Sequence, residues 1–141
     1  MQLFLSSTNL HIKHTMKKII QTNDAPAPIG PYSQAVIAGN MLFISGQIAF
    51  EPFTGNLISD TIETETHRVM KNLENILKAA GSSFTQVVKT TIFLKDMNQF
   101  TAVNQVYGSY FTTDFPARET VQVSRLPRDV NVEISMIAGI S

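Results

Sequence analysis

Two periods share this chain: alternation of apolar and polar positions, and a helical repeat that interrupts it twice. From Val87 to Lys95, Val88, Thr90, Ile92 and Leu94 alternate with Val87, Lys89, Thr91 and Phe93, and the β-branched bias predicts a strand. From Asn131 to Ala138, Val132, Ile134, Met136 and Ala138 make one face and Asn131, Glu133, Ser135 and Ile137 the other. The stretch Phe115 to Pro127 reads as a proline-set approach to a strand, with a turn at Pro127 to Asp129 before the next. Near the start, Lys18-Ile19-Ile20 is a short strand candidate. Gln34 to Ala38 and Met41 to Phe50 flank Gly39-Asn40, a two-residue hairpin signal.

The first helical stripe is Ile62, Thr66, Val69, Met70, Leu73, Ile76, Leu77 and Ala80, with Glu63, His67, Lys71, Glu74 and Lys78 on the solvent side. Asp60 and Glu63 have the spacing of a capping box, and Gly81 is placed to end the helix. A second helix is predicted from Asp96-Met97-Asn98 to Phe111. Its stripe is Phe100, Val103, Asn104, Tyr107, Tyr110 and Phe111, where the Asn104 amide would face the core and need a partner. Strand pairs alternating with single helices predict an α+β fold: a mixed six-stranded sheet with two helices packed on one face. The other face then needs cover, and closed oligomerisation is its simplest source.

Composition narrows the function classes. The 141 residues fit one domain, read here as 16–141 behind an N-terminal extension, 1–15, with no structural period and expected to be poorly ordered. That extension resembles a weak organellar presequence less than it does an upstream start ahead of Met16-Lys17-Lys18. With no cysteine there is no thiol nucleophile, disulfide or Cys-ligated zinc. A formal net charge of zero gives no nucleic-acid footprint. No apolar run reaches the roughly 18–20 residues of a membrane span.

Candidate chemistry is confined to a few positions. Arg118, at the start of its strand behind Pro116, is either a surface arginine or a bidentate reader of a small carboxylate. Glu133, on a strand taken as its neighbour, either faces solvent or pairs with Arg118 or Arg125, or it orients a water. Gly46, in Ser45-Gly46-Gln47, weakens a strand unless something approaches its backbone. Pro26, Pro28 and Pro31 make a stiff loop able to hold Tyr32 in place. His67 is expected to face solvent, and His11 with His14 lacks a third metal ligand.

Together, Ala27-Pro28-Ile29-Gly30-Pro31-Tyr32-Ser33-Gln34-Ala35, Ile44-Ser45-Gly46-Gln47-Ile48, Phe115-Pro116-Ala117-Arg118 and Val132-Glu133-Ile134 resemble, in order and spacing, the RidA/YjgF family of enamine/imine deaminases. The resemblance spans about Met16 to Ala138. It implies an α+β domain like that of the trimeric chorismate mutases, assembled as a homotrimer around a central barrel with clefts between subunits. It implies a cytoplasmic enzyme without metal or cofactor that hydrolyses 2-aminoacrylate and related 2-iminoacids to 2-oxoacids and ammonia. By resemblance, Arg118 grips the substrate carboxylate and Glu133 holds the attacking water. Tyr32, Ser45, Gly46, Asn104 and Thr120 line the site. Thr120 stands where many members carry cysteine, and Glu119 where many carry serine or alanine. Strand alternation turns Glu119 away from Arg118. The family has also been described as translation inhibitor, ribonuclease or chaperone, and that non-deaminase class is the alternative.

Overall fold

The computed structural model describes residues 17–141. The expectations about residues 1–15 lie outside the described residues. The elements, in chain order, are β1 (Lys18–Ile20), β2 (Ala35–Ala38), β3 (Met41–Gln47), α1 (Ile62–Ala79), β4 (Val87–Leu94), α2 (Phe100–Gly108), β5 (Ala117–Gln122) and β6 (Val132–Gly139). One six-stranded sheet runs β1-β2-β3-β6-β4-β5. All pairings are antiparallel except β4 with β5, which α2 joins as a crossover.

The sheet order corrects one expectation. β5 and β6 follow each other in sequence but are not neighbours, because β6 inserts between β3 and β4. A short connection predicts pairing; here the 3₁₀ turn Pro127–Asp129 instead carries the chain past β4. That turn holds Arg128 at φ 58° and Asp129 at φ 56°, left-handed values uncommon for residues with a Cβ. Lys95 Nζ, 3.0 Å from Asp129 Oδ1, ties it down and holds that carboxyl below its usual range.

Helix α1 begins one residue later than the acidic pattern suggests. Thr61, extended at φ −136° and ψ 160°, is the N-cap: its hydroxyl accepts from Thr64 N–H at 3.1 Å, and Thr64 Oγ1 accepts from Thr61 N–H at 3.1 Å. Paired hydroxyls close the box that Asp60 and Glu63 were expected to make, since Asp60 lies outside the first turn. At the other end Gly81 takes φ +74°, with Gly81 N–H on Lys78 O and Ser82 N–H on Leu77 O, a Schellman stop. Helix α2 is shorter than its stripe: a 3₁₀ turn at Met97–Gln99 precedes it and Gly108 closes it.

Both helices cover one face of the sheet. Leu42 and Ile44 of β3, Ile92 and Leu94 of β4, and Ile134 and Met136 of β6 meet Met70, Leu73, Ile76 and Leu77 of α1 and Val103 and Tyr107 of α2. Each fully buried aliphatic side chain stabilises the fold by about 1.5–3 kcal/mol. In β4 the alternation slips. A register irregularity between Val87 and Lys89 buries Val87 and leaves Val88 49% exposed, where simple alternation put Val88 beside Thr90.

The opposite face is left uncovered by the described residues. Ile19, Val36, Phe43 and Ile137 pair across β1, β2, β3 and β6 as an apolar row, with Ile19 and Phe43 about half exposed.

Two buried polar side chains sit on the apolar stripe of α1 and were not anticipated. Glu65, 1% exposed, accepts from Asn131 N–H at 2.9 Å and Asn131 Nδ2 at 2.8 Å. Asn72 donates to Ile48 O at 3.2 Å and Phe50 O at 2.9 Å. Gln34 does the same for the proline loop, donating to Pro26 O at 2.9 Å and Ala25 O at 3.2 Å. Each fixes a loop that has no ladder of its own, which is how buried backbone groups avoid an unpaired cost of about 1–3 kcal/mol. A sequence signal existed: 65, 69, 72 and 76 share one helical face.

Candidate active site

The expected site residues fall into two groups on opposite faces of the sheet. Arg118 pairs with Thr90, which pairs with Met136; that row faces the helices. Glu133 pairs with Phe93 and alternates with the buried Val132 and Ile134, so it lies on the uncovered face. Between them lie the width of β4 and three residues along it, about 14 Å of backbone. The reading of Arg118 and Glu133 as residues of adjacent strands is therefore corrected, and no ion pair joins them among the described residues.

The first group surrounds Glu133. A cavity of about 320 Å³ is lined by Tyr32, Ser45, Gly46, Phe50, Pro127 and Glu133 among others. The register of β3 on β6 shifts between Ile44 and Gln47, so Ser45-Gly46 bulges opposite Glu133. A Cβ at Gly46 would stand 2.8 Å from Glu133 Cδ and 2.9 Å from Oε2; glycine lets the carboxylate lie against the strand backbone. Ser45 Oγ donates to Ser33 O at 2.6 Å, joining the bulge to the end of the proline loop. In that loop Tyr32 N–H donates to Gly30 O at 2.9 Å and Tyr32 Oη accepts from Ile29 N–H at 3.2 Å. The three loops around the cavity are those pinned by Gln34, Asn72 and Glu65.

Burial raises the Glu133 carboxyl above its ordinary pKa. A raised folded-state pKa means that the fold prefers the protonated acid. The stability this lends is complete below the ordinary carboxylate range and is lost as pH rises through the raised value. Glu133→Gln, neutral throughout, is expected to melt at a higher temperature than the native chain at neutral pH. It should lose that advantage below about pH 4. Thermal scans at the two pH values check this; an offset independent of pH would contradict it.

The second group surrounds Arg118. A groove is lined by Asn104, Tyr107, Gly108, Phe115, Pro116 and Arg118. Asn104 is half-buried on this groove rather than turned into the core. The Arg118 guanidinium lies over the rings of Tyr107, at 5.1 Å, and Phe100, at 5.7 Å. No carboxylate among the described residues is within ion-pair distance of it. Thr120, two residues along β5, pairs with Ile92 on the same face, and its buried Oγ1 has no hydrogen-bond partner among the described residues. Glu119 points to the opposite face, 2.8 Å from Lys89 Nζ and 2.8 Å from Thr91 Oγ1, and so does not compete for the guanidinium. Those two partners hold its carboxyl below the usual range.

His67 is exposed as expected, with Nδ1 2.8 Å from Tyr110 Oη. Among the described residues no three His, Asp or Glu side chains gather at metal-ligand spacing, and no helix is long and apolar enough to cross a membrane.

Fold and sequence together define the class. A family model described as Endoribonuclease L-PSP matches residues 22–140, and the chain belongs to this family, the RidA/YjgF group of reactive-intermediate deaminases. A RutC family protein of Pyrococcus horikoshii is 53% identical over 87% of this chain and 98% of its own length. The human 2-iminobutanoate/2-iminopropanoate deaminase is 46% identical over 87% of this chain and 90% of its own. The crystal structure of RidA from the Antarctic bacterium Psychrobacter sp. PAMC 21119 superposes with a TM-score of 0.84 at 41% identity, covering 87% of this chain and 99% of that one.

Proposed function

We propose that this chain is a 2-iminobutanoate/2-iminopropanoate deaminase that hydrolyses 2-aminoacrylate-derived and related 2-iminoacids to 2-oxoacids and ammonia. The observation that carries the reading is the Arg118 guanidinium, held over two rings at the wall of a groove with no carboxylate among the described residues in ion-pair distance of it. A planar fork of N–H donors matches a substrate carboxylate.

Arg118 holds the carboxylate, and C2 of the imine is presented to water held by Glu133. As the water oxygen bonds to C2, Glu133 takes its proton and the C=N bond becomes a C–N single bond. The proton passes to the nitrogen, giving a carbinolamine; Glu133 then takes the hydroxyl proton and returns it to the amine, the C–N bond breaks, and ammonia leaves as the C2 carbonyl forms. Uncatalysed imine hydrolysis is already facile, so orientation and charge placement carry the acceleration. The reaction as written uses no metal or cofactor.

The two groups of residues lie on opposite faces of one chain, which supports a site made by two subunits. A homotrimer would bring the Arg118, Asn104 and Thr120 half of one subunit to the Tyr32, Ser45, Gly46 and Glu133 half of the next. It would also cover the apolar row on the open face. We propose a cytoplasmic location, with an organellar one as the lesser alternative, since one relative is named as chloroplastic.

The direct test generates 2-iminobutanoate or 2-iminopropanoate in situ and follows ammonia release or loss of imine absorbance. Acceleration over the protein-free reaction is the expected result, with an acid limb above the ordinary glutamate range as Glu133 protonates. No acceleration, with cleavage of an RNA probe instead, would favour the nuclease alternative, against which the zero net charge already speaks.

Gly46→Ala tests the Glu133 half by itself. The added methyl meets the mobile end of the Glu133 side chain, so the carboxylate swings away and the fold holds. Turnover is expected to fall on the order of a hundredfold, with the melting temperature within a few degrees of native. Activity and melting curves on one preparation check both.

A further inference from the structure

The Arg118 guanidinium is placed by aromatic rings, and one of those rings is itself anchored beside it. Tyr107 is 4% exposed, and its hydroxyl donates to Thr90 Oγ1 at 3.0 Å. Thr90 is fully buried and is the register partner of Arg118 on β4. The three residues thus close a triangle. The β4–β5 ladder sets the Arg118 backbone opposite Thr90, the Thr90 side chain fixes the Tyr107 ring, and that ring carries the guanidinium at 5.1 Å. Phe100, about two turns earlier on α2, supplies a second ring at 5.7 Å. A cation held over ring faces needs no hydrogen-bond acceptor there, which leaves the guanidinium N–H donors for a ligand.

We infer that Thr90, Tyr107 and Phe100 are positioning residues for Arg118: they hold its fork in the carboxylate-binding orientation and so set the affinity for the 2-iminoacid carboxylate. The inference rests on the reading of Arg118 as the carboxylate clamp. A long, flexible arginine otherwise loses rotamer freedom each time it binds, and a ring-held guanidinium has lost it beforehand. The carboxylate is gripped before and during water addition alike, so loosening the fork weakens ground state and transition state together. The effect belongs in KM, with kcat preserved.

The test is a series at Tyr107 and Phe100, assayed with 2-iminobutanoate and with the dissociation constant of 2-oxobutanoate measured by calorimetry. Tyr107→Leu removes a ring and is expected to raise KM and the 2-oxobutanoate dissociation constant roughly tenfold with little change in kcat. Tyr107→Phe keeps the ring but frees it from Thr90, and should raise both about two- to threefold. Phe100→Leu, at a more exposed position, should do the same. A purely structural role would lower kcat and melting temperature without this graded rise.

If Tyr107→Leu does not fold, Tyr107→Phe and Phe100→Leu decide. KM and dissociation constants within 1.5-fold of native in the folded variants overturn the inference. Arg118→Ala separates this failure from that of the underlying reading. If that variant is inactive while the ring variants bind normally, the positioning role alone is wrong. If it retains full turnover, the clamp and its positioning fall together.

Discussion

With Arg118 replaced by alanine, kcat/KM for 2-iminobutanoate is expected to fall about a hundred- to thousandfold, the size of losing one partner of a desolvated charge pair. The chain should still fold. Arg118 takes part in no ion pair among the described residues, and its backbone is held by the β4–β5 ladder whatever the side chain. Removal takes away two ring contacts of modest strength and leaves no buried carboxylate without its counter-ion. Size-exclusion profiles and melting curves should therefore match the native chain. Arg118→Lys is expected to recover only a small part, because a point charge does not reproduce the bidentate fork. Native turnover in a folded Arg118→Ala protein would remove the mechanism.

Mixing two inactive variants should restore activity. On the proposed roles, Arg118→Ala chains lack the carboxylate half and Glu133→Ala chains lack the water half. Arg118 and Glu133 sit on opposite faces of the sheet, so the two halves of one chain do not face each other. In the proposed cyclic trimer each cleft would take one half from each of two neighbours. Every cyclic trimer that contains both variants then joins an intact arginine to an intact glutamate at one seam in three, about a third. Co-expression of the two variants with different tags, followed by isolation of doubly tagged oligomers, should give activity at that order relative to native protein, while each variant alone gives none. If both residues serve a cleft built by a single chain, every mixture stays inactive. The outcome thus decides between a site within a chain and a site between chains independently of the assignment of chemical roles.

Much of the fold could be read from periodicity. The alternation in β6 placed Val132, Ile134 and Met136 in the core, and the stripe of α1 placed Val69, Met70, Leu73, Ile76 and Leu77 there. What periodicity could not see were departures from it. Val88 turned outward because a bulge shifted the register, and bulges carry no strong local signal when no glycine marks them. Glu65 and Asn72 were buried because distant backbone groups, at Asn131 and at Ile48 and Phe50, needed partners. Such needs are non-local, and a polar residue on an apolar stripe is the only trace that they leave in sequence.

The candidate site was legible as a set of residues, not as an arrangement. Gly46 stood out as a glycine inside a strand, and the structure gives the reason: Glu133 lies where its Cβ would be. Asn104 stood out as an amide on an apolar stripe, yet it lines the groove with Arg118. The ring support of Arg118 was hidden, because Phe100 and Tyr107 read as ordinary core residues in a helix pattern.

The amino-acid sequence by itself determined which residues face inward, where the chain turns, that the fold is α+β, and which family the chain resembles. These follow from local periods, turn residues and short motifs, each settled within a few positions. Only the tertiary structure decided that β6 lies between β3 and β4, because strand order is a matter of non-local pairing. That single choice separates Arg118 from Glu133 by β4 and by the thickness of the sheet. It places residues that look continuous in sequence, from Phe115 to Ala138, on opposite faces of the sheet.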